Sequence, residues 1–326
     1  MKKLIAIIVV MACLCCGCAA KRERTDFALD TVVNVTVYDA KNEDVLDECF
    51  AEIERLEALF SATRENSDIA RINASRGKLV TVSDETAALI KAALNVSLAS
   101  EGAFDITVRP VSKLWDFTAD NPTLPDADAL REALSRVDYR QVQLYGDNNV
   151  MVDGEIELGG IAKGYIADCV EELLRARGVR SALIDLGGNI VAVGDKDGTL
   201  FRIGVKDPQN TGALAVVVQV RDCSVVTSGT YERGFTLDGV RYHHLLDPKT
   251  GMPVQNGLAS VTIVCESSTM ADALSTACFV LGEKKARALL TKFSATEAIF
   301  IYDDGRITTT DGWRQNDDGE YILSQN

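Results

Sequence analysis

Ala182-Leu183-Ile184-Asp185-Leu186-Gly187-Gly188-Asn189-Ile190-Val191-Ala192-Val193 holds two short apolar runs separated by a Gly-Gly turn. Runs this short suit buried strands better than helices, and glycine accepts the positive φ of a tight turn. The pattern recurs on either side. Phe201 to Val205, Leu214 to Val220, Ser224 to Thr227 and Leu258 to Val264 are further strands bounded by Gly and Asp. Val142 to Val152 reads as two strands joined at Gly146-Asp147-Asn148-Asn149, and Glu155 to Leu158 as a strand edge. Near the start, Val33, Val35 and Val37 alternate with polar residues along Thr31 to Tyr38, the mark of a half-buried strand.

Helical spacing interrupts these strands. Val45, Cys49, Ile53, Leu56 and Phe60 share one face of a helix over Asp44 to Phe60. Ser67-Asp68 caps a short helix carrying Ile69 and Ile72, and Ser83-Asp84-Glu85 opens one that runs to Ala99. Asp126 to Arg136, Gly160 to Arg177, Thr269 to Leu281 and Glu283 to Phe293 are also helical. Many strands meeting at short turns, with helices between them, predict an α+β protein. Its sheet is largely antiparallel, mixed and flanked by helices, in a single globular unit.

Lys2 and Lys3 precede an apolar run from Leu4 to Leu14 that is too short to span a bilayer, so the N-terminus reads as a targeting signal. Leu14-Cys15-Cys16-Gly17-Cys18 resembles a bacterial lipobox, which makes Cys18 the expected lipidation site. On this reading residues 1–17 are a signal peptide, 18–28 a lipidated cysteine with a polar tether, and 29–326 the folded body. The body is then extracytoplasmic and reaches the membrane only through its lipid anchor. Cys49, Cys169, Cys223, Cys265 and Cys278 lie outside the signal, are scattered and form no CxxC pair. They read as small buried hydrophobes rather than a zinc site or a disulfide framework. The formal net charge is −14, and loss of Lys2 and Lys3 takes it to −16. That acidity excludes nucleic acid and anionic membrane surfaces as partners, since both demand basic patches.

His243-His244-Leu245-Leu246-Asp247-Pro248-Lys249-Thr250-Gly251 contains both histidines of the 326 residues. Imidazole is the side chain whose ordinary pKa falls between pH 5 and 8. A pair placed where a strand enters a Pro/Gly turn is a candidate for proton transfer, although either ring can instead be structural. Glu157-Leu158-Gly159-Gly160-Ile161-Ala162-Lys163-Gly164 joins a strand to a helix through two glycines. Such a joint is either purely structural or a place where backbone and Lys163 meet an anion. Asp272 and Thr276 stand four apart on one helix face, either as hard oxygens for Mg²⁺ or as a buried hydrogen-bonding pair. In Gly102-Ala103-Phe104-Asp105-Ile106-Thr107-Val108, which passes from a helix end into a strand, Phe104 is a stacking ring or core filler. Asp105 there is free to accept a ring N–H. Thr227-Ser228-Gly229-Thr230-Tyr231-Glu232-Arg233 is a hydroxyl-rich turn suited to a phosphate or to solvent.

Taken in order, these motifs and Asp185-Leu186-Gly187-Gly188-Asn189-Ile190 resemble the ApbE family, the FAD:protein FMN transferases, over roughly residues 31–300. The resemblance implies Mg²⁺-dependent transfer of FMN from FAD to a Thr or Ser hydroxyl of an acceptor protein, with release of AMP. FAD pyrophosphatase activity and non-enzymatic flavin binding are the alternatives. By the same resemblance Asp272, Thr276 and the Gly160 carbonyl match metal ligands, and Ala103, Phe104, Asp105, Glu157, Lys163 and Leu246 match positions that contact FAD. His244 matches the histidine implicated in catalysis. There it takes the acceptor's proton or orients a phosphate. The implied acceptor is an extracytoplasmic redox protein such as an Rnf- or Nqr-type subunit. Three positions depart from the family pattern. Leu29-Asp30-Thr31 stands for Met-Gly-Thr, Thr63 for an aromatic, and Glu157 for the commoner Asp. All fall on the isoalloxazine side of the implied pocket.

Overall fold

The computed structural model describes residues 20–40, 44–117, 119 and 122–324. Eight strands form the central sheet: β1 (Ala20–Ala28), β2 (Thr31–Ala40), β3 (Ser181–Leu186), β4 (Asn189–Gly194), β5 (Cys223–Gly229), β6 (Leu258–Cys265), β7 (Glu297–Tyr302) and β8 (Ile307–Thr309). They lie side by side in chain order, and every neighbouring pair is antiparallel. Up to β8 everything else is an excursion between two adjacent strands, and the residues after Thr309 form a C-terminal extension. The helices are α1 (Val45–Phe60), α2 (Asp68–Ala74), α3 (Asp84–Ala99), α4 (Arg109–Trp115), α5 (Ala127–Leu134), α6 (Ala162–Ala176), α7 (Ser268–Leu281) and α8 (Glu283–Leu290).

The sheet is covered on both faces, and the strand pattern shows how. Along β6 and β7, Val261, Ile263, Ala298 and Phe300 turn toward the helices, while Val264, Ile299 and Ile301 turn the other way. A four-stranded sheet made of Trp313–Gln315, Tyr321–Leu323, Asn210–Val220 and Phe201–Asp207 covers that second face. A strand packed on both sides has no polar face, so β6 is buried at every position. Two helices start where the sequence placed their caps, the Ser67 and Ser83 side chains accepting the N–H groups of Ala70 and Thr86; Ser267, not read as a cap, accepts from Met270 in the same way.

Four segments differ from the sequence reading. Residues 20–28, expected to be a tether, form the edge strand β1 in register with β2. Their alternating charges are those of a protected sheet edge: Arg24 reaches Asp26 and Asp47, and Asn34 donates to Thr25. Leu29 and Asp30, with φ of 55° and 57°, make the left-handed two-residue turn that closes this hairpin. The segment after Asp105 is not a strand. Asp105 caps a 3-10 turn, Ile106–Val108, that runs into α4. Glu155 to Leu158 pairs with no strand; its Glu157 N–H is held by the Ile106 carbonyl at 2.8 Å. The residues after Phe293, unassigned by periodicity, complete both sheets. Tyr321–Leu323 lies parallel to Asn210–Val220, the one parallel pairing among the described residues. Cys18 lies outside the described residues, and no helix among them is long and apolar enough to cross a membrane. Among the described residues Cys49, Cys169, Cys223, Cys265 and Cys278 are free thiols, Cys49, Cys265 and Cys278 buried, with the Cys49 thiol pushed up to about 12 by burial.

Candidate active site

A cleft of about 1050 Å³ opens on the helical side, where the excursions from β2, β3, β5 and β6 converge. Its size suits a dinucleotide-sized ligand. Ala103, Phe104, Asp105, Glu157, Gly160, Lys163, His244, Leu246, Asp272 and Thr276 all line it, although the sequence separates them by up to 173 positions.

One wall is the crossing of α6 and α7. A Cβ on Gly164 would stand 2.2 Å from the Ser268 carbonyl oxygen, so only glycine lets the helices approach this closely. The contact brings the Gly164 N–H to 2.9 Å from Asp272 Oδ2. Asp272 is 4 % exposed, and its other oxygen, Oδ1, lies 3.7 Å from Lys163 Nζ. Because Gly164 donates to Asp272, its helical partner, the Gly160 carbonyl, accepts none of the backbone hydrogen bonds described. Thr276 Oγ1 lies 3.3 Å from Ser228 Oγ and would be 3.7 Å from a Cβ on Gly160. A buried carboxylate, a hydroxyl and an uncommitted carbonyl thus gather at one end of the cleft. This hard-oxygen set fits Mg²⁺, which takes few protein ligands and completes its octahedron with phosphate and water. No cluster of three His, Cys, Asp or Glu that would suit a softer or fully caged metal occurs among the described residues.

A second wall carries the acids. Glu157 accepts from Ser112 Oγ at 2.9 Å and faces Arg109 at 3.7 Å. Burial raises its carboxyl, opposed by Ser112 and Arg109. Asp105 is not free. Its oxygens accept from the Thr107 N–H and hydroxyl and from the Tyr139 N–H at 2.6–2.9 Å, so its carboxylate is spent on holding the 3-10 turn. Phe104 is 5 % exposed and its ring edge would be 3.0 Å from a Cβ on Gly160, so it fills core and cleft wall together.

The third wall is the excursion after β5, a hairpin of Gly234–Leu237 with Val240–His243 followed by the histidine turn. The adjacent histidines have opposite fates. His243 is 2 % exposed, its Nε2 donates to the Val254 carbonyl at 3.0 Å, and its ring stands edge-on to Phe279. Burial pushes it down to about 4, so it is a neutral structural residue. His244 enters the cleft. Its backbone N–H and ring Nδ1 both reach the Arg233 carbonyl, at 3.1 and 3.3 Å, leaving Nε2 toward the cleft and 3.9 Å from Glu232. Its imidazole is held neutral, first by its surroundings and then by the Arg233 and Lys163 charges. The turn is locked by Trp115 Nε1, which donates to the Gly251 carbonyl at 2.7 Å, and by Leu246 packing beside Val111 and Trp115. Ser112, Arg109 and Glu232 belong to the cleft but were assigned no role from the sequence. Glu232 stood inside a quoted motif, whereas Ser112 carried no local signal.

Buried oxygens at a helix crossing, a fixed neutral imidazole and a dinucleotide-sized cleft define a site for phosphoryl chemistry on an antiparallel α+β scaffold. Residues 29–300 match the ApbE family model, and the chain belongs to that family. A Treponema pallidum FAD:protein FMN transferase is 42 % identical over 93 % of this chain and 92 % of its own length. A Klebsiella pneumoniae FAD:protein FMN transferase is 38 % identical over 80 % and 83 %. The crystal structure of the ApbE protein from Thermotoga maritima superposes with a TM-score of 0.83 at 36 % identity, covering 90 % of this chain and 97 % of that one. The Pseudomonas stutzeri flavinyl transferase ApbE in its apo form gives 0.78 at 31 % identity, covering 89 % and 94 %.

Proposed function

We propose that this protein transfers FMN from FAD to a Thr or Ser hydroxyl of an acceptor protein, with Mg²⁺ and with release of AMP. The observation that carries the reading is the meeting of Asp272, Thr276 and Gly160 with Lys163 and His244 in one cleft. Asp272, Thr276 and the Gly160 carbonyl would hold the metal, whose charge offsets that of the pyrophosphate and polarises phosphorus. Lys163 steadies the same phosphates from the start of α6. The flavin side would lie against Ala103, Phe104, Leu246 and Glu157, with Ser112 and Arg109 fixing the Glu157 carboxylate. His244, its ring fixed by Arg233, handles the proton of the incoming hydroxyl. We place the protein outside the cytoplasmic membrane, anchored through a lipid on Cys18, where it meets a redox acceptor of the Rnf or Nqr type.

The full-length chain with FAD, Mg²⁺ and the flavin-carrying domain of an Nqr-type subunit tests this, with the acceptor's intact mass as readout. The expected result is a gain of one FMN moiety that EDTA prevents. Free FMN and AMP beside an unmodified acceptor would make it a hydrolase instead. FAD left intact overturns both.

A further inference from the structure

Glu232 has no role in the reading above, and its surroundings are unlike those of four other acids of the cleft. Glu157, Asp105, Asp185 and Asp272 each accept a hydrogen bond from a protein donor. The Glu232 carboxylate accepts none among the described residues, and the one ion-pair approach described for it is His244 Nε2 at 3.9 Å. The Arg233 carbonyl can only accept, so the His244 Nδ1 beside it carries the ring hydrogen and Nε2 presents a lone pair. With Glu232 ionised, two acceptors, Nε2 and Glu232 Oε2, therefore converge across a gap with no proton of the protein between them. Both side chains remain partly open, at 29 % and 35 %. An incoming hydroxyl supplies the missing donor.

Resting on the transferase reading, we propose that Glu232 is a catalytic residue: its carboxylate takes the proton of the attacking hydroxyl, which the neutral His244 Nε2 helps to hold in place, and releases it to solvent. The hydroxyl oxygen bonds to the FMN-side phosphorus of FAD. The P–O bond to the AMP phosphate breaks and its electron pair leaves on AMP. The hydroxyl proton goes to Glu232 Oε2 and from there through its open side to water, so nothing is oxidised or reduced. The division of labour fits the two groups' basicities. His244 is a weak base because its surroundings disfavour the imidazolium. Glu232 is pushed up to about 7 by loss of water around it, reinforced by Asp272 from α7 and opposed by Lys163 from α6, Arg233 beside it and Lys206 from the second sheet. A base with a pKa near the working pH is the more effective one.

The test is single-turnover transfer to the acceptor domain named above, across pH, with Glu232→Gln, Glu232→Asp and Glu232→Ala beside wild type. FAD binding is titrated separately by flavin fluorescence. Glu232→Gln should slow transfer roughly 10²–10³-fold, the scale of a lost general base, and abolish the rise of rate with pH while FAD affinity is kept. Glu232→Asp should retain part of the rate, and formate should restore transfer by Glu232→Ala. A Glu232→Gln rate within about fivefold of wild type with the same pH profile would overturn the assignment. So would a loss that follows weakened FAD binding and is not rescued by formate. If the wild type only hydrolyses FAD, the transferase reading fails, and the same variants read on AMP release decide the role of Glu232 with water in the hydroxyl's place.

Discussion

The two faces of the eight-stranded sheet bury alternating residues of the same strands, yet only one carries the cleft. On the helical face the covering layer consists of excursions tens of residues long, whose ends bring Gly164 against Ser268 and His244 toward Glu232. On the other face the cover is a compact sheet, and Phe201, Ile203, Val218 and Ile299 meet with little besides apolar contact. The strands supply rigidity to both sides. Chemistry collects where long connections leave polar atoms that the sheet itself does not satisfy.

The comparison can be broken most directly on the helical face. Asp272→Ala removes the only carboxylate among the three metal-ligand candidates and should reduce FAD turnover on the order of 10³-fold, equal to several kcal/mol of lost metal assistance. Thermal unfolding followed in parallel should still show a cooperative transition. Turnover within tenfold of wild type would mean that the chemistry lies elsewhere.

The far face should respond in stability alone. Ile299 is fully buried between the sheets, and Ile299→Ala should cost roughly 2–5 kcal/mol in a denaturant titration. Below the transition, kcat/KM for FAD should stay within about twofold. A large change in kcat/KM at full folding would show that the two faces are mechanically coupled.

His243 sharpens the contrast, because it lies on the functional face but serves the fold. Its folded pKa, about 4, is below the ordinary histidine value, so the unfolded chain binds the proton more readily. Stability is therefore unaffected well above pH 6.5 and falls as pH drops from about 6.5 toward 4, by up to about 3 kcal/mol. His243→Gln should flatten that part of the stability–pH curve without changing transfer at pH 8. A slope unchanged in the variant would assign the pH dependence to another group.

Val33, Val35 and Val37, the Ser67 and Ser83 caps and the Gly187-Gly188 turn announced the α+β class, because strand and helix periods and caps are written within a few residues of one another. The order of the motifs announced the family and the residues around the cleft. The edge strand β1 was hidden: its charged residues read as a tether until the partner strand β2 is in place. The three-residue strands after Tyr302 were equally hidden, since segments that short carry too little periodicity to be read.

Tertiary structure alone decided which polar atoms are spent and which remain free. Asp105 looked available in the sequence but is consumed by Thr107 and by Tyr139, which lies 34 positions away. Asp272 acquires its place from Gly164, 108 positions away, and the same bond frees the Gly160 carbonyl. Two adjacent histidines, indistinguishable as letters, became a buried prop and a cleft residue because one faces Phe279 and the other Glu232. Local sequence fixes backbone preference through steric and hydrogen-bonding terms of short range. The state of a buried polar group depends instead on donors and water excluded or admitted by distant segments, and so belongs to the fold as a whole.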